Sequence, residues 1–145
     1  MPPPTFATAF RFRATFEFST DSADTRFQSV SGLSVDYETE PLKEGGENRF
    51  THQLPVRTTY ADVTLKRALA VEGPLVDWCE NAFRNFRFDP ATVTIQLLDP
   101  AGEPLRSWVL SHAWPKKWQL SDLNAENNAL AIESLTLSYR HFRTL

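Results

Sequence analysis

The sequence predicts a mainly β protein with one α-helix, and three observations support this prediction. Apolar and polar residues alternate with a period of two from Phe10 to Phe18, which is the pattern of a half-buried strand. The 145 residues include 11 Phe and 4 Trp but one Met, a composition that favours strands over helices. Only residues 74–85 have clear helical spacing. We therefore expect six or more strands and one helix.

The first strand, from Phe10 to Phe18, follows a Pro-rich segment, residues 1–8, that is expected to be a flexible tail. The polar side of this strand consists of Arg11, Arg13, Thr15 and Glu17. Residues 19–25 are polar and predict a turn. A second strand is expected to begin at Phe27 and to bend at Gly32.

The segment after this bend predicts an acidic strand and then a long polar loop. Residues 33–40 alternate, and their polar side consists of Ser34, Asp36, Glu38 and Glu40. The loop runs from Pro41 to about Arg57 and contains a Gly-Gly pair. A long ordered loop without catalytic residues more often binds another protein than a substrate. Thr58 to Lys66 predicts the next strand.

The helix is predicted to begin at Pro74, because proline suits a first helical turn, where its missing N–H removes no hydrogen bond. One apolar stripe with spacing i, i+3, i+4, i+7 and i+8 consists of Leu75, Trp78, Cys79, Ala82 and Phe83. We expect the helix to cover one side or one end of the sheet.

The second half of the chain predicts three more strands. Residues 92–97 and 105–112 alternate, and the turn from Asp99 to Gly102 joins them. Trp114-Pro115 is expected to end the second of these strands. Residues 130–142 predict the last strand, with a bulge where its apolar positions change phase. Such a chain protects its sheet edges by closing into a barrel or by pairing with another subunit.

The composition indicates a single domain spanning residues 1–145. A net charge of −3 indicates neither a nucleic-acid surface nor a polybasic membrane patch. The N-terminus lacks the features of a secretion signal, and no apolar stretch approaches the ~20 residues needed to span a bilayer. Cys79 is the one cysteine, so an internal disulfide is excluded and a reducing compartment fits.

No catalytic site, metal site or cofactor is predicted, and we expect the protein not to be an enzyme. The three histidines are far apart in sequence, and no serine lies in a G-x-S-x-G context. Trp114 and Trp118 flank two lysines and resemble a stacking patch for nucleic acid, but an aromatic pair at a corner of the core suits an acidic chain better. The Phe-rich first strand leaves a ligand-binding β-barrel as an alternative, which would require an unfilled apolar cavity.

The most distinctive segments of the chain occur in a fixed order over about residues 10–139. They are GLSVDYETE, EGGENRFTHQLPVRTTY, VTLKRAL, LLDPAGEPLRSW and HAWPKKWQLSDLNAENNALAIESLTLSY. In this order they resemble the tail tube proteins of contractile phages and of phage-tail-like contractile injection systems. AWPKKW followed by DLNA and AIESLTL is the most specific part. The chain departs from the family pattern at Val56 and Ala68, where glycine is common, and in its basic, aromatic end, residues 139–145.

The resemblance implies a small β-barrel of two packed antiparallel sheets with one flanking helix at about residues 74–85, as in the type VI secretion tube. It implies that six copies close into a ring, and that the rings stack into a hollow tube that a contractile sheath drives through a target envelope. The implied partners are further copies of the chain, the sheath protein, a baseplate tube initiator and a tube terminator, with a toxin or DNA as luminal cargo. A tube-initiating ring protein of the baseplate is the alternative within the family. Assembly in the bacterial cytoplasm, without membrane anchoring, and an extracellular particle after release are expected.

Within such an assembly we interpret the 41–57 loop as the main ring-to-ring contact, because its acidic and basic residues could pair with charges on the next ring; a solvated, mobile loop is the alternative. The candidate interface residues are Glu38, Glu40, Lys43, Glu44, Gly45, Gly46, Glu47, Asn48, Arg49 and Arg57. The candidates for the lumen surface are Arg11, Arg13 and Glu17, which would give the bore a mixed charge.

Overall fold

A computed structural model describes residues 11–19, 26–42, 52–70, 72–123 and 131–145. These ranges form ten β-strands and one α-helix, which confirms the predicted mainly β fold with one helix. In chain order the elements are β1 Arg11–Phe16, β2 Arg26–Phe27, β3 Ser29–Ser31, β4 Val35–Leu42, β5 His52–Tyr60, β6 Val63–Ala68, α1 Pro74–Asn85, β7 Ala91–Leu98, β8 Pro104–Leu120, β9 Ile132–Ser138 and β10 His141–Thr144.

The long strand β8 joins two antiparallel sheets, because its 17 residues pair with different partners along its length. Up to Ser111 it lies between β7 and β10. From Trp114 onward it pairs with β9, so the strand does not end at Trp114-Pro115 as predicted. Instead, His112 has φ 59° between the two parts, and the register shifts between Pro115 and Lys117. A proline at a bulge removes no ladder hydrogen bond, so the strand continues.

The sheets are packed as expected, but they are not closed into a barrel. The strand order is β2-β1-β7-β8-β9-β6-β3, with β10 on β8. The outermost strands, β2 and β3, are separated in sequence only by Gln28, whose N–H donates to the Lys66 carbonyl at 2.7 Å. Since β2 pairs with β1 and β3 with β6, this bend brings the two ends of the sheet order together without a ladder between them.

The core lies between the sheets and beneath α1. Its largest fully buried side chains include Phe16, Leu65, Ile95, Leu110 and Leu137. The helix begins at Pro74, as predicted, and buries Leu75, Trp78, Cys79 and Ala82 of the predicted stripe. The indole N–H of Trp78 donates to the Asp89 carbonyl at 2.7 Å, which satisfies the polar atom of this buried ring.

One ion pair is buried between β6 and β9. Arg67 donates from Nε to a carboxylate oxygen of Glu133, and the indole N–H of Trp118 donates to the other oxygen at 3.0 Å. Both charged side chains are almost fully buried. The two residues are direct partners in the strand register, so the sheet itself holds the pair together.

Strands β4 and β5 form a separate two-stranded sheet, which we call the arm (residues 35–42 and 52–60). The predicted 41–57 loop is therefore shorter than expected: Pro41, Leu42 and His52–Arg57 belong to strands, and residues 43–51 lie outside the described ranges. The predicted strand from Thr58 to Lys66 is also divided, between β5 and β6.

Gly32 directs the chain from β3 into the arm. Its φ is +93°, and a Cβ at this position would lie 2.0 Å from the Asp62 carbonyl oxygen. Only glycine fits this close approach between the two backbones. The bend expected at Gly32 is thus present, and it brings the connection between β3 and the arm against Asp62, which leads from the arm into β6.

Candidate assembly interface

The arm exposes both of its surfaces to solvent. Every described side chain from Val35 to Thr59 is exposed, and only Tyr60, at the base, is partly buried. An isolated two-stranded hairpin is marginally stable in water, because it has no third element on which to bury a face. The arm therefore buries neither of its faces within the described part of the subunit.

One side of the arm is apolar. The register places Val35 opposite Tyr60 and Tyr37 opposite Thr58, and directly opposed side chains lie on the same side of a sheet. Tyr37 is 67% exposed. We define the apolar side of the arm by Val35, Tyr37, Pro41, Pro55 and the additional bulge residue Val56. At the base it continues into Tyr60, whose ring centroid lies 5.1 Å from that of Phe142.

The opposite side of the arm is acidic and contains three of the predicted interface residues. Glu38 lies opposite Arg57, and Glu40 lies opposite Leu54. Arg57 Nε is 3.0 Å from a Glu38 carboxylate oxygen in a pair exposed to solvent. Such a pair contributes at most about 1 kcal/mol. The other predicted interface residues, Lys43 to Arg49, lie outside the described residues.

Tyr139 holds the base of the arm. Its phenol O–H donates to the Ala61 carbonyl, directly after β5, at 2.6 Å. Burial, together with the charge of Asp62 and the nearby Tyr60, raises the pKa of Tyr139 to about 12. The phenol thus remains neutral and able to donate. Its hydrogen bond connects Ala61, directly after the arm, to the turn between β9 and β10.

An exposed group of aromatic rings at the end of α1 was not predicted as a site. We define the aromatic patch by Phe83, Phe86, Phe88 and Trp114. The ring centroids of Phe86 and Phe88 are 5.1 Å apart, and those of Phe88 and Trp114 are 5.6 Å apart. Phe83, predicted as part of the core stripe, is instead 46% exposed. The sequence signal was the run FRNFRF, residues 83–88, in which apolar and basic residues are too closely mixed for a core segment.

Phe86 is the most unusual member of the patch, because it is 84% exposed and has φ 53°. It follows the last helical residue, a position that usually holds glycine because of its left-handed conformation. The next N–H, of Arg87, donates to the Asn81 carbonyl at 2.9 Å and closes the helix end. A large apolar ring in a strained, exposed position suggests a role outside the isolated chain.

The predicted lumen residues lie on the outer face of the sheet that contains β1, β7 and β10. Ala14 and Phe16 are buried, so Arg11 and Arg13 point the other way. Arg13 Nε donates to Gln96 Oε1 at 2.8 Å, and Glu17 accepts the Thr92 N–H at 2.8 Å. The strand registers place further basic residues on this face, namely Arg26, His141 and Arg143. The described part of this face is therefore more basic than β1 indicated.

The described residues contain a small interior cavity beneath α1 and an open surface cleft of about 420 Å³ lined by Glu17, Asp77, Trp78 and Asp89. No group of three His, Cys, Asp or Glu in these ranges could hold a metal ion. The cavity beneath α1, between Leu75 and Trp118, has a volume of about 10 Å³, which is room for about one water molecule. This filled core counts against the alternative of a ligand-binding barrel. No helix in the described ranges is long and apolar enough to cross a membrane.

In the described residues, two packed sheets with a filled core, one flanking helix and a two-stranded arm exposed on both sides define the architecture. A family model for the T4-like virus tail tube protein gp19 matches residues 8–143. Since the match spans nearly the whole chain, the protein belongs to this tail tube family. A comparison with curated proteins found no match.

Solved structures agree with this family. A chain in the cryo-EM structure of the anti-feeding prophage baseplate is 32% identical, with a TM-score of 0.83 over 100% of this chain and 97% of that chain. A chain in the PVC sheath-tube complex, an extracellular contractile injection system in the extended state, is 25% identical, with a TM-score of 0.76 over 95% of this chain and 90% of that chain.

A more distant structure shares the fold alone. Hcp1 from Flavobacterium johnsoniae is 14% identical, with a TM-score of 0.56 over 93% of this chain and 94% of that chain. The family and the fold are those of structural tube proteins and not of enzymes. The protein is thus a component of a phage tail or of a contractile injection particle.

Proposed function

We propose that the protein is the repeated subunit of an inner tube, in which six copies form a ring and the rings stack inside a contractile sheath. The observation that carries this proposal is the arm, a hairpin with both sides exposed. A head-to-tail contact between an arm and a different surface of the next copy generates rings or stacks, because the contact is not self-complementary. Permanent interfaces of this kind bury on the order of 2,000–5,000 Å².

In this arrangement the arm and residues 43–51 make the ring-to-ring contact. Glu38, Glu40 and Arg57 contribute charges that fix the register, together with Lys43 to Arg49. The outer face with Arg11, Arg13 and Glu17 lines the lumen, where a toxin or DNA would travel. The further partners are the sheath protein, a baseplate initiator and a tube terminator. Assembly takes place in the bacterial cytoplasm, and the particle is extracellular after release.

A second candidate role is the tube-initiating ring at the baseplate. It is supported by the 32% identity to a chain of the anti-feeding prophage baseplate structure and by the basic, aromatic end, residues 139–145. Labelling the protein in intact particles separates the two roles. Label along the whole tube supports the repeated subunit, and label confined to the base supports the initiator.

The assembly itself is tested with the purified protein by light scattering and negative-stain imaging. We expect rings or stacked rings. Val35→Ser combined with Tyr37→Ser should weaken assembly at least tenfold while the unfolding midpoint of the subunit stays unchanged, since both side chains are exposed. Thr59→Ser, on the acidic side of the arm, is the matched control and should assemble normally. A subunit that stays monomeric at high concentration, also when co-expressed with sheath and baseplate proteins, would contradict the proposal.

A further inference from the structure

We propose that the aromatic patch at the end of α1 is the surface that receives the apolar side of the arm from a second copy of this chain. The inference rests on the proposed self-assembly and names the two surfaces that meet. The arm and the three phenylalanines of the patch are exposed in the single subunit, and Trp114 is partly buried, so the arm does not cover the patch of its own chain.

The distribution of exposed apolar side chains supports this pairing. Seven of the twelve large exposed apolar side chains in the described ranges lie in the arm or at the end of α1, and one of these, Leu54, is on the acidic side of the arm. The arm presents Tyr37 and Val35 beside two prolines, and the patch presents Phe86 and its neighbours. An aromatic ring that packs edge-to-face on others contributes beyond the area that it buries. Contact between the two surfaces would therefore bury apolar side chains of both.

The charges around the two surfaces are opposite in sign. The described part of the arm carries Asp36, Glu38 and Glu40 against Arg57 alone. The patch is flanked by Arg84 and by Arg87, whose Nε lies 3.4 Å from the carboxylate of Asp89 in an exposed pair. The acidic side chains of the arm lie on the side that faces away from the patch, so their net negative charge acts at longer range: it attracts the arginines beside the patch and disfavours the pairing of arm with arm. The arm and the patch differ from each other, so the contact is head-to-tail and can be repeated.

The conformation of Phe86 provides an independent reason. A phenylalanine with φ 53° is less favourable than glycine at the same helix end. The strain at Phe86 is explained if its ring packs against a neighbouring copy in the assembly, where it becomes buried. Phe86→Gly should therefore leave the unfolding midpoint of the subunit equal to or above that of the unmodified chain, and it should raise the concentration needed for assembly at least tenfold.

Cross-linking between copies that each carry one added cysteine tests the contact directly. Cys79 is buried, so new cysteines react without a competing exposed thiol among the described residues. One batch carries Phe86→Cys and the other carries Val35→Cys, Tyr37→Cys or Val56→Cys; a disulfide requires Cα atoms within about 7 Å. We expect mixed assemblies of at least one of these combinations to form a disulfide-linked pair of two different copies. Thr59→Cys, on the opposite side of the arm, is the matched control and should not cross-link.

Three outcomes would overturn the inference. Stacked rings in which none of the three combinations cross-links would place the arm elsewhere, while the proposed function would stand. Normal stacking of Phe86→Gly rings with loss of sheath attachment would assign the patch to the sheath protein instead. Loss of assembly in Leu123→Ser, an exposed apolar control outside both surfaces, to the same extent as in Phe86→Gly would show a general effect of surface apolarity. A wild-type chain that never assembles would instead refute the proposed function itself.

Discussion

Glu133 occupies a position in β9 where the alternation calls for an apolar residue, since Leu135 and Leu137 follow on the same buried side. Arg67 occupies the equivalent position in β6, after Val63 and Leu65. A charged residue is buried without large cost only if it is paired and hydrogen-bonded. The charged residues at positions 67 and 133 therefore each indicate that a partner of opposite charge is present. The two positions are 66 residues apart, so only the strand register identifies them as partners.

Removing one member of this pair should destabilise the subunit strongly. Arg67→Met leaves the Glu133 carboxylate buried beside Trp118 without its cation, at an expected cost of about 3–5 kcal/mol in the free energy of unfolding. Urea unfolding followed by tryptophan fluorescence measures this change. Lys116→Gln, which breaks the exposed pair between Lys116 and Asp62, should cost less than about 1 kcal/mol. Equal losses in the two variants would contradict the assigned burial.

Tyr139 should make the subunit sensitive to alkaline pH. Its pKa is raised in the folded state from the usual 10.0 to about 12, so folding favours the protonated phenol. This contribution is fully present below pH 10 and is lost as the pH rises from 10 to about 12. Unfolding midpoints measured across this window should fall less in Tyr139→Phe than in the unmodified protein. An identical fall in both would show that Tyr139 does not couple to folding.

At the scale of elements, the sequence predicted the helix and the strands that bury one face in the core of the subunit. The helix begins at Pro74 as expected, because its stripe faces the core. The strand β1 also lies where it was expected. Residues 41–42 and 52–57 of the arm were interpreted as part of a loop, because neither side of the arm is buried in the subunit and burial therefore imposes no period-two pattern on them. The strand predicted over residues 130–142 is divided into β9 and β10 at Tyr139, because the two parts pair with β8 on either side of its bend. Local sequence does not show this bend.

Gly32 should be essential to the direction of the arm. Gly32→Ala adds a Cβ that would lie 2.0 Å from the Asp62 carbonyl, so the backbone must move and the subunit should lose more than about 2 kcal/mol of stability. Gly102 is the matched control: its φ is +88°, but an added Cβ would meet no atom within 4 Å. Gly102→Ala should therefore cost only the backbone strain, about 1 kcal/mol. Thermal unfolding of the two variants compares these costs.

At the scale of the whole molecule, the fold class and the family were accessible from the sequence, whereas the aromatic patch was not. The family could be recognised because the order of the motifs is a property of the sequence itself and needs no knowledge of the fold. The patch depends on how α1 ends and on the position of Trp114, which comes from β8. The basic character of the outer face could not be predicted from β1, which contributes only Arg11 and Arg13. The other basic residues of this face come from β2 and β10, and their placement depends on the strand registers.

The assignment of this outer face to the lumen predicts selective labelling. Thr15 is exposed on this face, opposite Thr94. In assembled tubes, Thr15→Cys should react with a small maleimide but not with a maleimide attached to a large polymer, which cannot enter the bore. Glu38→Cys in disassembled subunits is a control that should react with both reagents. Equal reaction of Thr15→Cys with both reagents in intact tubes would place this face on the outside.

The strand β8 belongs to both sheets, and the pair β9 and β10 follows it through the same bend. A subunit built in this way cannot separate into two halves by sliding one sheet over the other, because the same backbone runs through both. A mechanical load on a tube would have to rupture many hydrogen bonds of this shared ladder at once. The subunit should therefore transmit a sudden thrust from ring to ring with little internal deformation.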